Sequence, residues 1–127
     1  MKRAEKLIEI ETLLENLMKS RRDGSILRMK ILFFSQMYEN LSVSMIIEKL
    51  GIKKTNFALM TSSLEKEGCL VIKKSNMDRR CHIIELTEKG KEEVANYVKE
   101  FDKILGATSP DVDYAVDVLS KFLNKLV

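Results

Sequence analysis

Residues 41–90 hold the feature that most restricts the fold: two short helical stretches, each closed by a glycine, run directly into two β-rich segments around a charged loop. Asn40 to Ser44 supplies turn and N-cap residues, and a helix is expected from Met45 to Leu50, entered through Ser44 and closed at Gly51. A second helix is expected from about Lys54 to Glu67, closed at Gly68. On its wheel Phe57, Met60, Thr61 and Leu64 share one face, and Thr55, Leu59, Ser62 and Lys66 project from the opposite one. Two helices around a short glycine-containing turn form a helix-turn-helix candidate. Cys69 to Ile72 and Cys81 to Leu86 are rich in Val, Ile and Leu, and the intervening KKSNMDRR is polar and basic, so a β-hairpin with a charged tip, a wing, should follow.

The flanks are helical. Leu7, Ile10, Leu14, Leu17 and Met18 recur at three- and four-residue intervals in a helix that should end near Arg21 to Gly24. From Ile26 to Tyr38 apolar residues fall on nearly every face, as in a central buried helix. Thr87-Glu88-Lys89 opens a helix to about Leu105, Gly106 to Pro110 breaks it, and Val112, Ala115, Val116, Leu119, Phe122, Leu123 and Leu126 stripe the last one. The predicted fold is mainly α with a small β-hairpin wing: one winged helix-turn-helix domain over 1–127, its core about 41–90, flanked by helices at about 1–22 and 88–127. These terminal helices are more apolar than caps on so small a domain need to be, which suits dimerisation. Packing entirely within the monomer is the alternative.

Composition excludes several classes. The chain is 45% hydrophobic and 32% charged, values of a folded soluble protein. No run approaches a membrane span, and the glutamates between Lys2 and Lys19 interrupt any signal-peptide core. Two cysteines without CxxC spacing fit a reducing cytoplasm rather than a disulfide scaffold.

Charge is distributed unevenly. Residues 48–91 carry ten basic and six acidic side chains, whereas residues 92–127 carry four and seven. A duplex presents closely spaced phosphates and a major groove wide enough for one helix. The second helix of the pair suits such a partner. Lys53, Lys54 and Lys66 can approach phosphates, Thr55, Asn56, Ser62 and Ser63 can hydrogen-bond to base edges or backbone, and Ala58 or Leu59 can touch thymine methyl groups. In the hairpin, Lys73, Lys74, Arg79 and Arg80 gather four cations, where an arginine can enter a minor groove. Asp78 would be repelled by phosphate and is expected to pair with a wing arginine and shape the loop. The plain alternatives are an ordinary exposed helix and a solvated charged turn.

Residues 41–90 also resemble the multiple antibiotic resistance regulator (MarR) family without a gap. The resemblance rests on Leu41-Ser42-Val43-Ser44, Glu48-Lys49-Leu50-Gly51, Leu64-Glu65-Lys66-Glu67-Gly68, Asp78-Arg79-Arg80 and Leu86-Thr87-Glu88-Lys89-Gly90, in that order and spacing. It implies a triangular homodimer joined through the N- and C-terminal helices, two lobes facing a pseudo-palindromic operator, usually to repress transcription. It also implies a small-molecule effector site between the dimerisation helices and the DNA-binding lobe, to which no residue is assigned. Arg79 and Arg80 fall on the family's wing motif. Two positions depart from the pattern: Lys53 stands where a serine often caps the recognition helix, which would move the cap to Thr55, and Leu59 stands where a basic side chain is common.

Other chemistry finds little support. His82, the only histidine, would share a strand face with Ile84 and Leu86 and reads as packed rather than catalytic. No catalytic constellation, cofactor motif or closed metal-ligand spacing appears, so neither an enzyme nor a metal protein is expected. Cys81, beside Arg79, Arg80 and His82, is a candidate redox residue, against the simpler reading that Cys69 and Cys81 fill small apolar sites. Met29, Met37, Met45 and Met60 read as core. A winged-helix module that binds protein instead of an operator is the remaining alternative.

Overall fold

The structure, a computed structural model, describes residues 2–19, 26–106 and 110–126. Among the described residues six helices and two strands follow in the order α1 (Lys2–Lys19), α2 (Ile26–Met37), α3 (Val43–Leu50), α4 (Lys54–Lys66), β1 (Leu70–Lys74), β2 (His82–Leu86), α5 (Glu88–Leu105) and α6 (Pro110–Leu126). The architecture is mainly helical with a two-stranded antiparallel wing, as the sequence pattern requires. The expected end of the first helix near Arg21 to Gly24 lies outside the described residues, as does most of the break before Pro110. Among the described residues no helix is long and apolar enough to cross a membrane.

The chain divides into two compact units, Met1–Val94 and Ala95–Val127. The first holds a core drawn from α2 to β2 and the start of α5: Met29, Ile31 and Leu32 of α2, Ile46 of α3, Phe57 and Leu64 of α4, Leu70 of β1, Ile83, Ile84 and Leu86 of β2, and Val94 of α5, with Cys69 just ahead of β1. Fully burying such a side chain contributes about 1.5–3 kcal/mol, which is how α2 comes to hold the helix pair and the hairpin together. In the second unit no described residue is fully buried.

Several local expectations shift. The helix expected from Met45 begins two residues earlier, because Ser42 rather than Ser44 caps it: its Oγ accepts the Met45 N–H at 3.2 Å from an extended backbone, φ −65°, ψ 153°. Ser42 is extended because it also forms an isolated antiparallel bridge to Ile83, so the start of α3 is tied to β2. Gly51 closes α3 at φ 64°, donating to the carbonyls of Ile47 and Glu48. Its left-handed backbone is one that glycine adopts without a Cβ clash. Met37 and Met45, expected in the core, are 61% and 44% exposed. Met37 at the end of α2 and Met45 in the short α3 lie on the outer sides of their helices, away from the buried Ser35 and Ile46. Met29 is buried and Met60 half-buried.

Candidate nucleic-acid interface

The two faces of α4 separate as its wheel requires. Phe57, Thr61 and Leu64 are buried, and the Thr61 hydroxyl donates to the Phe57 carbonyl at 2.9 Å, so this polar group enters the core satisfied. Thr55, Asn56, Leu59, Ser62, Ser63 and Lys66 are exposed along the outer side. Ser63 also donates to Glu67 Oε2 at 3.2 Å. The helix start differs from expectation: Lys53 occupies the cap position with no side-chain cap, and Thr55 lies inside the first turn instead of capping it. A lysine carries no acceptor for the first-turn N–H groups, so Lys53 and Lys54 stand exposed around uncapped donors.

The wing pairs Leu70 with Leu86, Ile72 with Ile84 and Lys74 with His82. Its loop is held by short-range bonds. Ser75 Oγ accepts from the N–H groups of Met77 and Asp78, the Cys81 N–H donates to the Asp78 carbonyl, and the Ser75 N–H donates to the Cys81 carbonyl. Asp78 accepts from the Arg80 backbone N–H at 3.0 Å and from its guanidinium at 3.1 and 3.2 Å. The guanidinium hydrogen bonds hold the Asp78 carboxyl below its ordinary range and raise Arg80. Lys73 forms an ion pair with Glu85 across the hairpin, which lowers the Glu85 pKa. Among the described residues Arg79 has no ion-pair partner. The four expected wing cations thus differ: Lys73 and Arg80 are each paired to a carboxylate, and Lys74 and Arg79 extend to solvent.

His82 does not pack as strand alternation suggests. The burial pattern of β2 is exposed at His82, buried at Ile83 and Ile84, exposed at Glu85 and buried at Leu86. His82 borders an open cavity between α3, α4 and the wing, so its strand position is not covered as Ile84 and Leu86 are. Cys81, half-buried beside it, joins Lys54, Phe57 and Arg80 around this cavity of about 320 Å³. Cys69 is fully buried, but its site is not purely apolar: its sulfur lies 3.7 Å from Arg28 Nη2 and 3.9 Å from Glu93 Oε1. Burial, seconded by the Glu93 carboxylate, pushes its thiol up, which disfavours the reactive thiolate. Among the described residues no group of three His, Cys, Asp or Glu side chains could hold a metal.

Sequence reasoning passed over Arg28, the feature that fixes α4 and the wing beneath this surface. Its guanidinium donates to Glu93 of α5 through Nε at 2.8 Å and Nη2 at 2.9 Å, and to Glu67 through Nη1 at 2.7 Å. The Glu93 hydrogen bonds chiefly raise the Arg28 pKa, and those from Arg28 hold Glu67 below the usual carboxylate range. The available signal was a cation set between Leu27 and Met29 in a mostly apolar helix, although Lys30 two residues on carries the same charge and is exposed.

The family model described as "Winged helix DNA-binding domain" matches residues 27–105. Among solved structures, the chain is similar to a MarR/EmrR family transcriptional regulator from Acinetobacter sp. ADP1, 22% identical with a TM-score of 0.69 over 99% of this chain and 97% of that one. The transcriptional regulator BldR from Sulfolobus solfataricus matches at 20% identity and TM-score 0.68, covering 98% and 99%. The transcriptional repressor CouR, solved on a 23-mer DNA duplex, matches at 27% identity and TM-score 0.61, covering 82% and 75%. No curated protein sequence matches.

Proposed function

Because the chain belongs to the winged helix DNA-binding domain family, a family of regulators rather than enzymes, we propose that it is a sequence-specific repressor that binds a pseudo-palindromic operator as a homodimer. The observation that carries this reading is the stripe of Thr55, Asn56, Leu59, Ser62 and Lys66, exposed along a helix whose other face is locked in the core, with a basic wing in the same unit. In this reading α4 enters the major groove, where Thr55, Asn56, Ser62 and Ser63 meet base edges or backbone. The uncapped first turn and Lys53, Lys54, Lys66 and Lys74 meet phosphates. Arg79 enters the minor groove. Arg80 and Lys73 contribute less, because a carboxylate already holds each of them.

Selection from random duplexes should enrich two half-sites about one helical turn apart. Recovery of a stable protein partner with no enriched duplex would support the protein-interaction module instead. On the selected operator, the double substitution Arg79→Ala, Arg80→Ala should weaken binding about tenfold and flatten the salt dependence by up to about two counterions. Arg79→Ala alone should account for most of that loss. Unchanged affinity would remove the wing from the interface.

The dimer rests on apolar faces that each unit leaves exposed. α1 presents Leu7, Ile10 and Leu14, α6 presents Val116, Phe122, Leu123 and Leu126, and neither helix has a buried residue. Contiguous apolar patches of this kind mark association surfaces. Sedimentation should give a dimer for the parent chain and a monomer for Leu14→Glu or Phe122→Glu, with operator affinity falling at least about tenfold as one half-site is lost. A monomeric parent chain would refute the dimer.

A further inference from the structure

We infer that Leu59 reads a thymine 5-methyl group in the major groove, making thymine the required base at one position of each half-site; this rests on the DNA-binding reading above. An isolated exposed leucine is common on protein surfaces, so its setting carries the argument. Leu59 is 73% exposed near the middle of α4. Its neighbours on the helix surface, three and four residues away on either side, are Thr55, Asn56, Ser62 and Ser63. All four are exposed, short and able to hydrogen-bond. The large apolar side chains Phe57 and Leu64 of the same helix are in the core, so nothing apolar on this face shelters Leu59.

A surface of this chemistry matches one kind of base edge. Among the four bases only thymine presents a methyl group to the major groove; cytosine offers just a C5–H at that place, and the purine O6, N6 and N7 and pyrimidine O4 and N4 groups are donors or acceptors that a leucine would leave unpaired. The four polar neighbours can satisfy adjacent edges while Leu59 discriminates by apolar contact. Ala58, the other small apolar residue of the helix, is also exposed but ends at its Cβ and lines the open cavity between α3, α4 and the wing, so Leu59 is the apolar side chain that reaches farthest from this helix.

The test uses the operator selected by the purified protein, with each thymine replaced in turn by deoxyuridine, which lacks only the methyl group. At one thymine per half-site the parent chain should lose about fourfold in affinity, the effect of one buried methyl, and less than about twofold at every other position. Leu59→Ala should bind the unmodified operator more weakly and show no further loss with uracil at that position; circular dichroism checks that the exposed substitution leaves the fold intact. A parent chain indifferent to every uracil, or a Leu59→Ala variant that keeps the full uracil penalty, overturns the inference while leaving salt-dependent operator binding in place. Failure to enrich any duplex overturns the proposed function and this reading with it.

Discussion

Gly90→Ala is expected to destabilise the winged-helix unit by about 3 kcal/mol, the upper end of the range for overpacked interiors, and so to lower its melting temperature by about 12 °C or more. Helix propensity alone points the other way, since alanine is favoured over glycine inside a helix by about 1 kcal/mol. Space decides the sign. A Cβ at position 90 would lie 2.1 Å from the Cys69 carbonyl oxygen and 3.1 Å from its carbon, with Leu86 Cβ at 3.5 Å behind. That carbonyl has little room to yield, because it accepts the Thr87 N–H at 3.0 Å. Thr87 Oγ1 meanwhile donates to the Gly68 carbonyl at 2.6 Å and accepts the Gly90 N–H at 3.2 Å. The start of α5 is thus bonded to the junction between α4 and β1, and a methyl group there must part them. Thermal unfolding followed by circular dichroism checks this, and a melting temperature equal to or above that of the parent chain would refute the close approach.

Removing the Arg28 guanidinium should have the second largest effect. Its side chain is 18% exposed and that of Glu93 24%, so Arg28→Met takes from a mostly covered carboxylate the two hydrogen bonds and the charge that Arg28 supplies. Breaking a fully buried pair costs about 3–5 kcal/mol, and partial exposure reduces this to about 2. The double variant Arg28→Met, Glu93→Leu should recover most of the loss, since it removes the covered carboxylate together with its cation and leaves only Glu67, whose side chain is 45% exposed to water. Recovery of none of it would mean that Arg28 acts through packing alone. Acid weakens the same cluster. Arg28 depresses Glu67 in the folded state, so that contribution is present above the unfolded glutamate value of about 4.3 and is lost as the pH falls through the folded one. The stability difference between the parent chain and Glu67→Gln should therefore shrink in urea titrations below about pH 4. A difference that stays constant into acid would remove Glu67 from the cluster.

Both expectations concern what lies beneath the candidate interface, and there the sequence was least informative. The stripe on α4 was legible because side chains three and four residues apart share a helix face wherever the helix is placed. Asp78 and Arg80 are two residues apart, so their pairing lay within the reach of local reasoning. His82 was misplaced because alternation along a strand names two faces without saying how far the helices cover either. Ser44 was chosen as a cap over Ser42 because both are serines in the same turn, and the bridge from Ser42 to Ile83 joins residues that the sequence holds far apart.

The helix-turn-helix and wing with which the chain announces itself were set by short-range chemistry: glycine stops, helical periodicity and a β-rich pair around a basic loop. How that unit is fastened was decided only in three dimensions. Arg28 meets Glu93 across 65 positions of sequence, and Gly90 meets the Cys69 carbonyl because α5 starts against β1. Neither contact has a local signature, since an ion pair or a steric fit depends on the path of the chain between its partners, and that path is fixed by the packing of the whole core.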